Sequence, residues 1–362
     1  MKNMTMRTLP ALVLAALSGT AAAAGFQALE QNASGLGTGY AGSAAIADNA
    51  STIYYNPAGM TLLPGRQISL GVAGVGSRYE SSLGGGDAGG WVALPNGYLS
   101  WQLNPDLFVG LGISQPFRLE TEYTSGWVNA DYAIRSDIKT VNYNPSVAYR
   151  LNDKVSLGFG LNYQTMDTVL TDVTGRYAAD DSAWGWNAGA LFTLSPAMRV
   201  GVAYRSGINY RLQGAPVTDM KLPDTLTLSV WQQVSDRWEA MGDLSFTRWN
   251  RLDTLAGENL GFRNSWRLAW GAAYKYSDAW KVKFGLAYER TPVHDGIANL
   301  RVPDNDRFRL SLGGQWNGGN YGRVDVGYSY LFVRDPSVDA SVGGGKYDIG
   351  AHVLGAQYSV GF

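Results

Sequence analysis

The sequence predicts an all-β membrane protein: a fourteen-stranded antiparallel transmembrane β-barrel with an N-terminal hatch plugging its lumen. Three observations point there. The 362-residue chain is 16% charged, is 12% aromatic and holds 46 glycines, whereas ordinary globular chains average about 25% charged and about 7% glycine. It opens on a leader-like segment. Long stretches beyond it alternate strictly between apolar residues and small or polar ones.

Residues 1–24 have the order of a secretory signal peptide, with Lys2 and Arg7, an apolar run from Leu9 to Leu17, and small residues from Ala21 to Ala24. No later stretch reaches the roughly 18 consecutive apolar residues of a membrane-spanning helix. Residues 25–65, rich in Ala, Gly, Ser and Asn, show no sustained period of two and form the expected hatch. Residues 66–362 form the expected barrel. Inside it, Val155, Leu157, Phe159, Leu161 and Tyr163 share one parity, while Ser156, Gly158, Gly160, Asn162 and Gln164 share the other. The same alternation runs through 266–275, 280–289 and 307–312. Apolar faces with aromatics at both ends suit a lipid-facing wall flanked by interfacial girdles, which leaves the polar parity for a lumen.

Strand segments are expected near 66–78, 96–103, 107–115, 133–150, 155–170, 184–194, 199–212, 222–234, 237–249, 263–276, 280–290, 304–316, 321–334 and 347–362. Connections after even-numbered segments are tight and rich in turn formers, such as Asn104-Pro105-Asp106 and Ser277-Asp278. Those after odd-numbered segments are longer, including 79–95, 116–132, 250–262, 291–303 and 335–346. Short periplasmic turns alternating with longer external loops is the outer-membrane pattern. The last strand ends in Phe362, which is expected to act as an assembly signal.

The chemistry-bearing residues are sparse. With no cysteine, two histidines and a net charge of −1, the chain has no disulfide framework or Cys-ligated metal, little for a His cluster, and no basic stripe for nucleic acid. No metal or cofactor is expected. His294-Asp295 lies in an external loop without a partnering nucleophile, so an outer-membrane barrel enzyme of lipase or protease type is the weaker alternative. A general diffusion porin is the other, but it would need no hatch. If the ligand is a carboxylate, it calls for an inward cation. Arg267, Lys283, Arg307 and Arg309 share the lumenal parity, as does Glu289, and Arg267 and Arg309 are the expected headgroup contacts. A ladder of Arg–Glu pairs that only stabilises the barrel is the competing use for them.

Residues 25–37 (Gly-Phe-Gln-Ala-Leu-Glu-Gln-Asn-Ala-Ser-Gly-Leu-Gly), Tyr40-Ala41-Gly42, Ala45-Ile46-Ala47-Asp48 and Asn56-Pro57-Ala58 resemble the hatch of the FadL family (OmpP1/FadL/TodX-like). Gln115-Pro116-Phe117, Asn144-Pro145-Ser146 and Tyr204-Arg205-Ser206 extend the resemblance over essentially the whole mature chain. It implies passive, hatch-gated outer-membrane transport of long-chain fatty acids or related hydrophobic compounds. Asn56, Pro57 and Ala58 would fix the hatch, and Phe26 would reach the ligand pocket. The ligand would leave sideways near strand three. Gly110, Gly112, Ser114, Gln115, Pro116 and Phe117 lie there, and Gly and Pro weaken a strand. Implied partners are the hydrophobic ligand, outer-membrane lipid and lipopolysaccharide, and the barrel assembly machinery, with the protein a monomer in the bacterial outer membrane. One departure stands out: the loop after strand five, roughly 171–183 with Asp180 and Asp181, reads as short and polar where larger members build a greasy capture groove.

Overall fold

The computed structural model describes residues 25–124, 126–212, 219–252, 254–255, 258–294, 300–338 and 344–362. The expected leader and Asp295 lie outside them. The wall runs through β1 (Arg66–Ser81), β2 (Gly90–Gln102), β3 (Leu107–Ser114), β4 (Arg135–Asn152), β5 (Val155–Asp172), β6 (Gly175–Ser195) and β7 (Met198–Arg205). It continues through β8 (Thr225–Gln233), β9 (Trp238–Thr247), β10 (Ser265–Lys275), β11 (Trp280–Glu289), β12 (Arg307–Asn317), β13 (Arg323–Val333) and β14 (Tyr347–Gly361). Each strand pairs antiparallel with its neighbours in the chain, and β14 closes on β1 from Ser81↔Tyr347 to Gln67↔Gly361. A further piece, Arg118–Glu122, continues β3 along the same partner, since β4 pairs with both through Ser114↔Asn142 and Arg118↔Lys139. The result is a closed barrel of 14 strands.

The period of two becomes the two faces of this wall. Leu157, Phe159 and Leu161 point outward and are 47%, 45% and 46% exposed, while Ser156 and Asn162 are buried. On β10, Trp266, Leu268 and Trp270 face out and Arg267 and Ala269 face in. Such an exterior is stable against hydrocarbon, and closure leaves no unpaired edge at the seam between first and last strand.

Three stretches expected as loops add strand to the wall. Residues 171–183, read as a short polar loop, turn at Val173-Thr174 and re-enter the wall, with β6 pairing from Asp172↔Gly175 through Asp167↔Asp180. This hairpin stands beyond the apolar band, where no lipid requires an apolar face, so Ala178, Ala179, Asp180 and Asp181 show no alternation. Likewise 79–95 contains the start of β2, and 116–132 contains Arg118–Glu122.

Residues 25–65 carry little regular structure: 3-10 turns at Leu36–Thr38 and Pro57–Leu62 and one helical turn at Thr52–Tyr55. Their backbone comes against the wall where the lumenal parity is glycine. A Cβ on Gly201 would stand 1.9 Å from the Ala44 carbonyl oxygen, on Gly285 2.1 Å from the Thr38 carbonyl carbon, and on Gly158 2.2 Å from the Ala58 nitrogen. Part of the glycine excess therefore serves close approach of one backbone to another.

Candidate functional site

The wall is incompletely paired beside β3. From Gly97↔Ile113 downward β2 and β3 form a ladder, but from Gly90 to Asn96 β2 pairs only with β1 among the described residues. β3 itself is interrupted after Ser114. Three residues, Gln115 to Phe117, stand between Ser114 and Arg118, while β4 supplies only Thr140 and Val141 between the matching partners. Pro116 has no N–H for a ladder, which suits it to such a break. Above this window the Glu122 N–H donates to the Ala88 carbonyl at 3.2 Å.

The start of the N-terminal segment sits beside the break. Gln27 forms a bridge with Phe117. The Ala28 N–H donates to the Pro116 carbonyl at 2.8 Å, and the Arg118 N–H donates to the Phe26 carbonyl at 2.9 Å. Gln31 clasps the same place: its Nε2 donates to the Gln115 carbonyl at 2.8 Å, and its Oε1 accepts from the Gln115 N–H at 2.9 Å. Of the residues the sequence singled out for this opening, Gln115, Pro116 and Phe117 lie at the break and Ser114 ends the ladder below it. Gly110 and Gly112 sit inside the regular ladder, where a Cβ on Gly110 would come 2.6 Å from both Ile53 and Met60. Their role is to admit the N-terminal segment.

Above Phe26 lies a continuous apolar cluster. Its ring meets Phe117 at 5.9 Å and Trp249 at 5.4 Å between centroids, both edge-on, and Trp249 meets Phe262 at 5.9 Å. Leu252, Leu255, Leu260, Val293, Leu300 and Val302, all from the long connections, are buried in the same cluster. The Gly25 N–H donates to the Asp304 carboxylate at 3.0 Å. Burial pushes the Asp304 carboxyl upward in pKa against the pull of Arg307 beside it.

The Asn56-Pro57-Ala58 motif fastens the segment farther on. Asn56 is fully buried, accepts from the Ala58 N–H at 3.1 Å, and donates to the carbonyls of Ala44 at 2.8 Å and of Ala190 in β6 at 3.0 Å. Pro57 follows at the first position of the 3-10 turn, where its missing N–H costs nothing. Ion pairs hold the opposite flank. Arg309 pairs with Glu30 at 2.8 Å, Lys283 with Asp325 at 2.8 Å and with the Ser34 carbonyl, and Asp243 accepts from the Gly42 N–H at 2.7 Å. Arg267 pairs with Glu289 at 3.0 Å and also donates to the Gly39 carbonyl. It borders a cavity shared with Gln27, Leu29 and Tyr54, whereas Arg309 is fully buried against Glu30 and does not line it.

A family model described as outer membrane protein transport protein (OMPP1/FadL/TodX) matches residues 14–362. The chain belongs to this family. It is 26% identical to a long-chain fatty acid transport protein of Salmonella typhi, over 93% of this chain and 94% of the relative. It is 29% identical to outer membrane protein P1 of Haemophilus influenzae, over 91% and 90%. Among solved structures, a FadL homologue of Pseudomonas aeruginosa superposes with a TM-score of 0.82 at 22% identity, over 94% of this chain and all 100% of that one. The toluene transporter TodX of P. putida does so with a TM-score of 0.71 at 16% identity, over 91% and 98%. As an OMPP1/FadL/TodX member, the protein is an outer-membrane β-barrel.

In this family member, sequence reasoning missed Trp249, Phe262 and the loop leucines of the cluster. A signal existed for Trp249. On β9 the residues Leu244 and Phe246 face out, so an aromatic at 249 falls on the inward parity. The loop leucines have no comparable mark, because an irregular segment has no period to violate. His294 is exposed, and His352 faces outward with its Nδ1 2.9 Å from the Tyr328 hydroxyl.

Proposed function

We propose that the protein passes long-chain fatty acids or related hydrophobic small molecules across the outer membrane by passive diffusion, with residues 25–65 as a hatch and the break in β3 as a lateral exit. The supporting observation is the junction of Phe26 and Ala28 with Pro116 and Arg118, beside the unpaired edge of β2. A hydrophobic molecule descending from the long-loop end enters the cluster around Phe26 and competes with that ring for the same apolar contacts. Freeing the tip breaks the two backbone hydrogen bonds at Pro116 and Arg118 and the two from Gln31 to Gln115, each worth about 0.5–1.5 kcal/mol net. Burial of roughly 100–250 Å² of ligand apolar surface, at about 25 cal/mol per Å², offsets that cost. Sideways departure delivers the ligand to hydrocarbon instead of water, so its apolar surface need not be rehydrated. No energy source is required.

Within this proposal Arg267, beside the cavity, is the better placed cation for a carboxylate headgroup, while Arg309 is held by Glu30. Phe362, 66% exposed at the end of β14, suits recognition by the assembly machinery. Two of the proteins named above, the long-chain fatty acid transport protein and the toluene transporter TodX, are transporters by name, which favours transport over catalysis, and the N-terminal segment seated in the lumen favours a gated passage over an open pore.

The test is uptake of, and growth on, a panel of long-chain fatty acids and hydrocarbons by a deletion strain. At least one class should fail to enter and should be restored by the gene in trans. Normal uptake across the whole panel overturns the proposal. Rapid swelling of proteoliposomes in sugar solutions would favour the porin alternative.

A further inference from the structure

We infer that the barrel holds a second, axial route, a polar path for water and small ions between the N-terminal segment and the β9–β11 wall, closed by the stacked rings of Tyr40 and Tyr55. It goes beyond the lateral exit and lies across the barrel from it, since β10 is seven places from β3 in the strand order.

Three cavities follow one another along this wall. The first lies at the level of Arg267 and Thr227. The second shares Tyr40, Ser43 and Tyr55 with the first and descends to Ala273 and Lys281. The third shares Glu239 and Lys281 with the second and opens among the turn residues Asp236 and Asp278. Short turns mark the periplasmic end of such barrels. The shared residues therefore border both cavities at each junction.

The wall chemistry says what could pass. β10 presents only Ala273 toward the second cavity, while its neighbours present Met241, Lys283, Glu239 and Lys281, the last two of which reach each other at 2.6 Å and remain about a quarter exposed. Charged groups beside a hydrocarbon ligand would lose hydration without compensation, whereas water and ions supply it. Glu239 and Asp48 are balanced by Lys281 and Lys283, so the path has no strong preference for one sign of charge.

Tyr40 and Tyr55 close the junction of the first two cavities, with centroids 6.2 Å apart and planes 27° from parallel. Their hydroxyls donate to the carbonyls of Asn32 at 3.0 Å and Leu29 at 2.9 Å. Tyr40 has φ +62°. A bulky residue in the left-handed region is strained and persists only where its surroundings hold it. Glycine would adopt this backbone freely, so the ring is what the position supplies. The Arg309 guanidinium lies over that ring at 5.6 Å.

The experiment is ion conductance of the purified full-length barrel in planar lipid bilayers. Tyr40→Ala/Tyr55→Ala should raise mean conductance about tenfold or more over the unaltered protein, with similar K⁺ and Cl⁻ permeability. Adding Ala273→Trp, which fills the second cavity, should return it to the starting level. Tyr40→Gly, which removes the ring and relieves the backbone, serves if the double variant does not fold. No rise in a folded variant overturns the inference. So does a rise that Ala273→Trp leaves untouched, because a wholly displaced segment would conduct regardless of residue 273. The sideways route is read separately by hydrophobic uptake, so failure of one leaves the other standing.

Discussion

The two flanks of the N-terminal segment are attached to the barrel in different ways. Toward β3, Phe26 and Ala28 use backbone hydrogen bonds and ring contacts, and Gln31 adds two neutral bonds. Toward β9–β13 the attachments are charged: Glu30 to Arg309, the Gly42 N–H to Asp243, and Asp48 to Arg323 at 3.4 Å. Neutral hydrogen bonds contribute about 0.5–1.5 kcal/mol net each. Breaking a buried ion pair by removing one partner costs about 3–5 kcal/mol. The tip is therefore held to β3 by weaker contacts than those that seat the body against β9–β13.

The largest expected effect follows removal of a charged anchor. Arg309→Ala leaves Glu30 buried and unpaired and should cost the seating of the segment about 3–5 kcal/mol. Hydrogen exchange across 30–45 should accelerate while the wall strands keep their protection. If 30–45 stays protected, the charged flank is not the dominant attachment. Asn56→Ala should cost about 1–3 kcal/mol, since two carbonyls lose their donor in a buried site. It should impair hydrophobic uptake without removing the barrel from the membrane, and unchanged uptake would separate the motif from transport.

A smaller effect is expected at the tip. Gln31→Leu removes both bonds to Gln115 and should shift the tip toward the open state by about 1–2 kcal/mol, roughly 5- to 30-fold in population. A hydrophobic fluorescent probe should enter faster, with exchange at 36–45 unaltered. Loss of protection there would mean that tip and body move as one.

The smallest effect is a pH response at Asp48. Burial raises its pKa, but Arg323 and Lys283 more than offset this and hold the carboxyl down from 3.8 to about 2. A depressed carboxyl stabilises the folded state at pH above its ordinary value, and that contribution is lost as pH falls through about 2. Pepsin cleavage within 45–52 should thus increase toward pH 2, and Asp48→Asn should remove the pH dependence.

Much of the wall was legible because its determinants are local. Lipid demands apolar residues at every second position, and that demand is written along each strand as a period of two, from which strand number and the sorting of short turns from long loops follow. The family was legible too, through the order of short motifs from Gly25 to Arg205. Arg267, Lys283, Arg307, Arg309 and Glu289 were placed on the lumenal parity correctly, but their partners were not. Glu30 stands 279 residues before Arg309, and nothing in either neighbourhood marks the other.

The same reason divides the site. Pro116 announces a weak point in β3, yet the window exists only because β2 runs past its last pairing with Ile113 and the tip of the N-terminal segment bonds to the edge of the break. The strand within 171–183 was invisible because, above the hydrocarbon, no solvent imposes alternation. The cluster around Phe26 gathers Trp249, Leu260 and Val302 from loops without a period, so only closure of the barrel brings them together. Period and motif thus determined the wall and the family. The junction of the N-terminal tip with the break in β3, the ion-pair anchors and the cavities beside Tyr40 were decided by tertiary structure, because they arise where chain segments distant in sequence meet across an enclosed lumen.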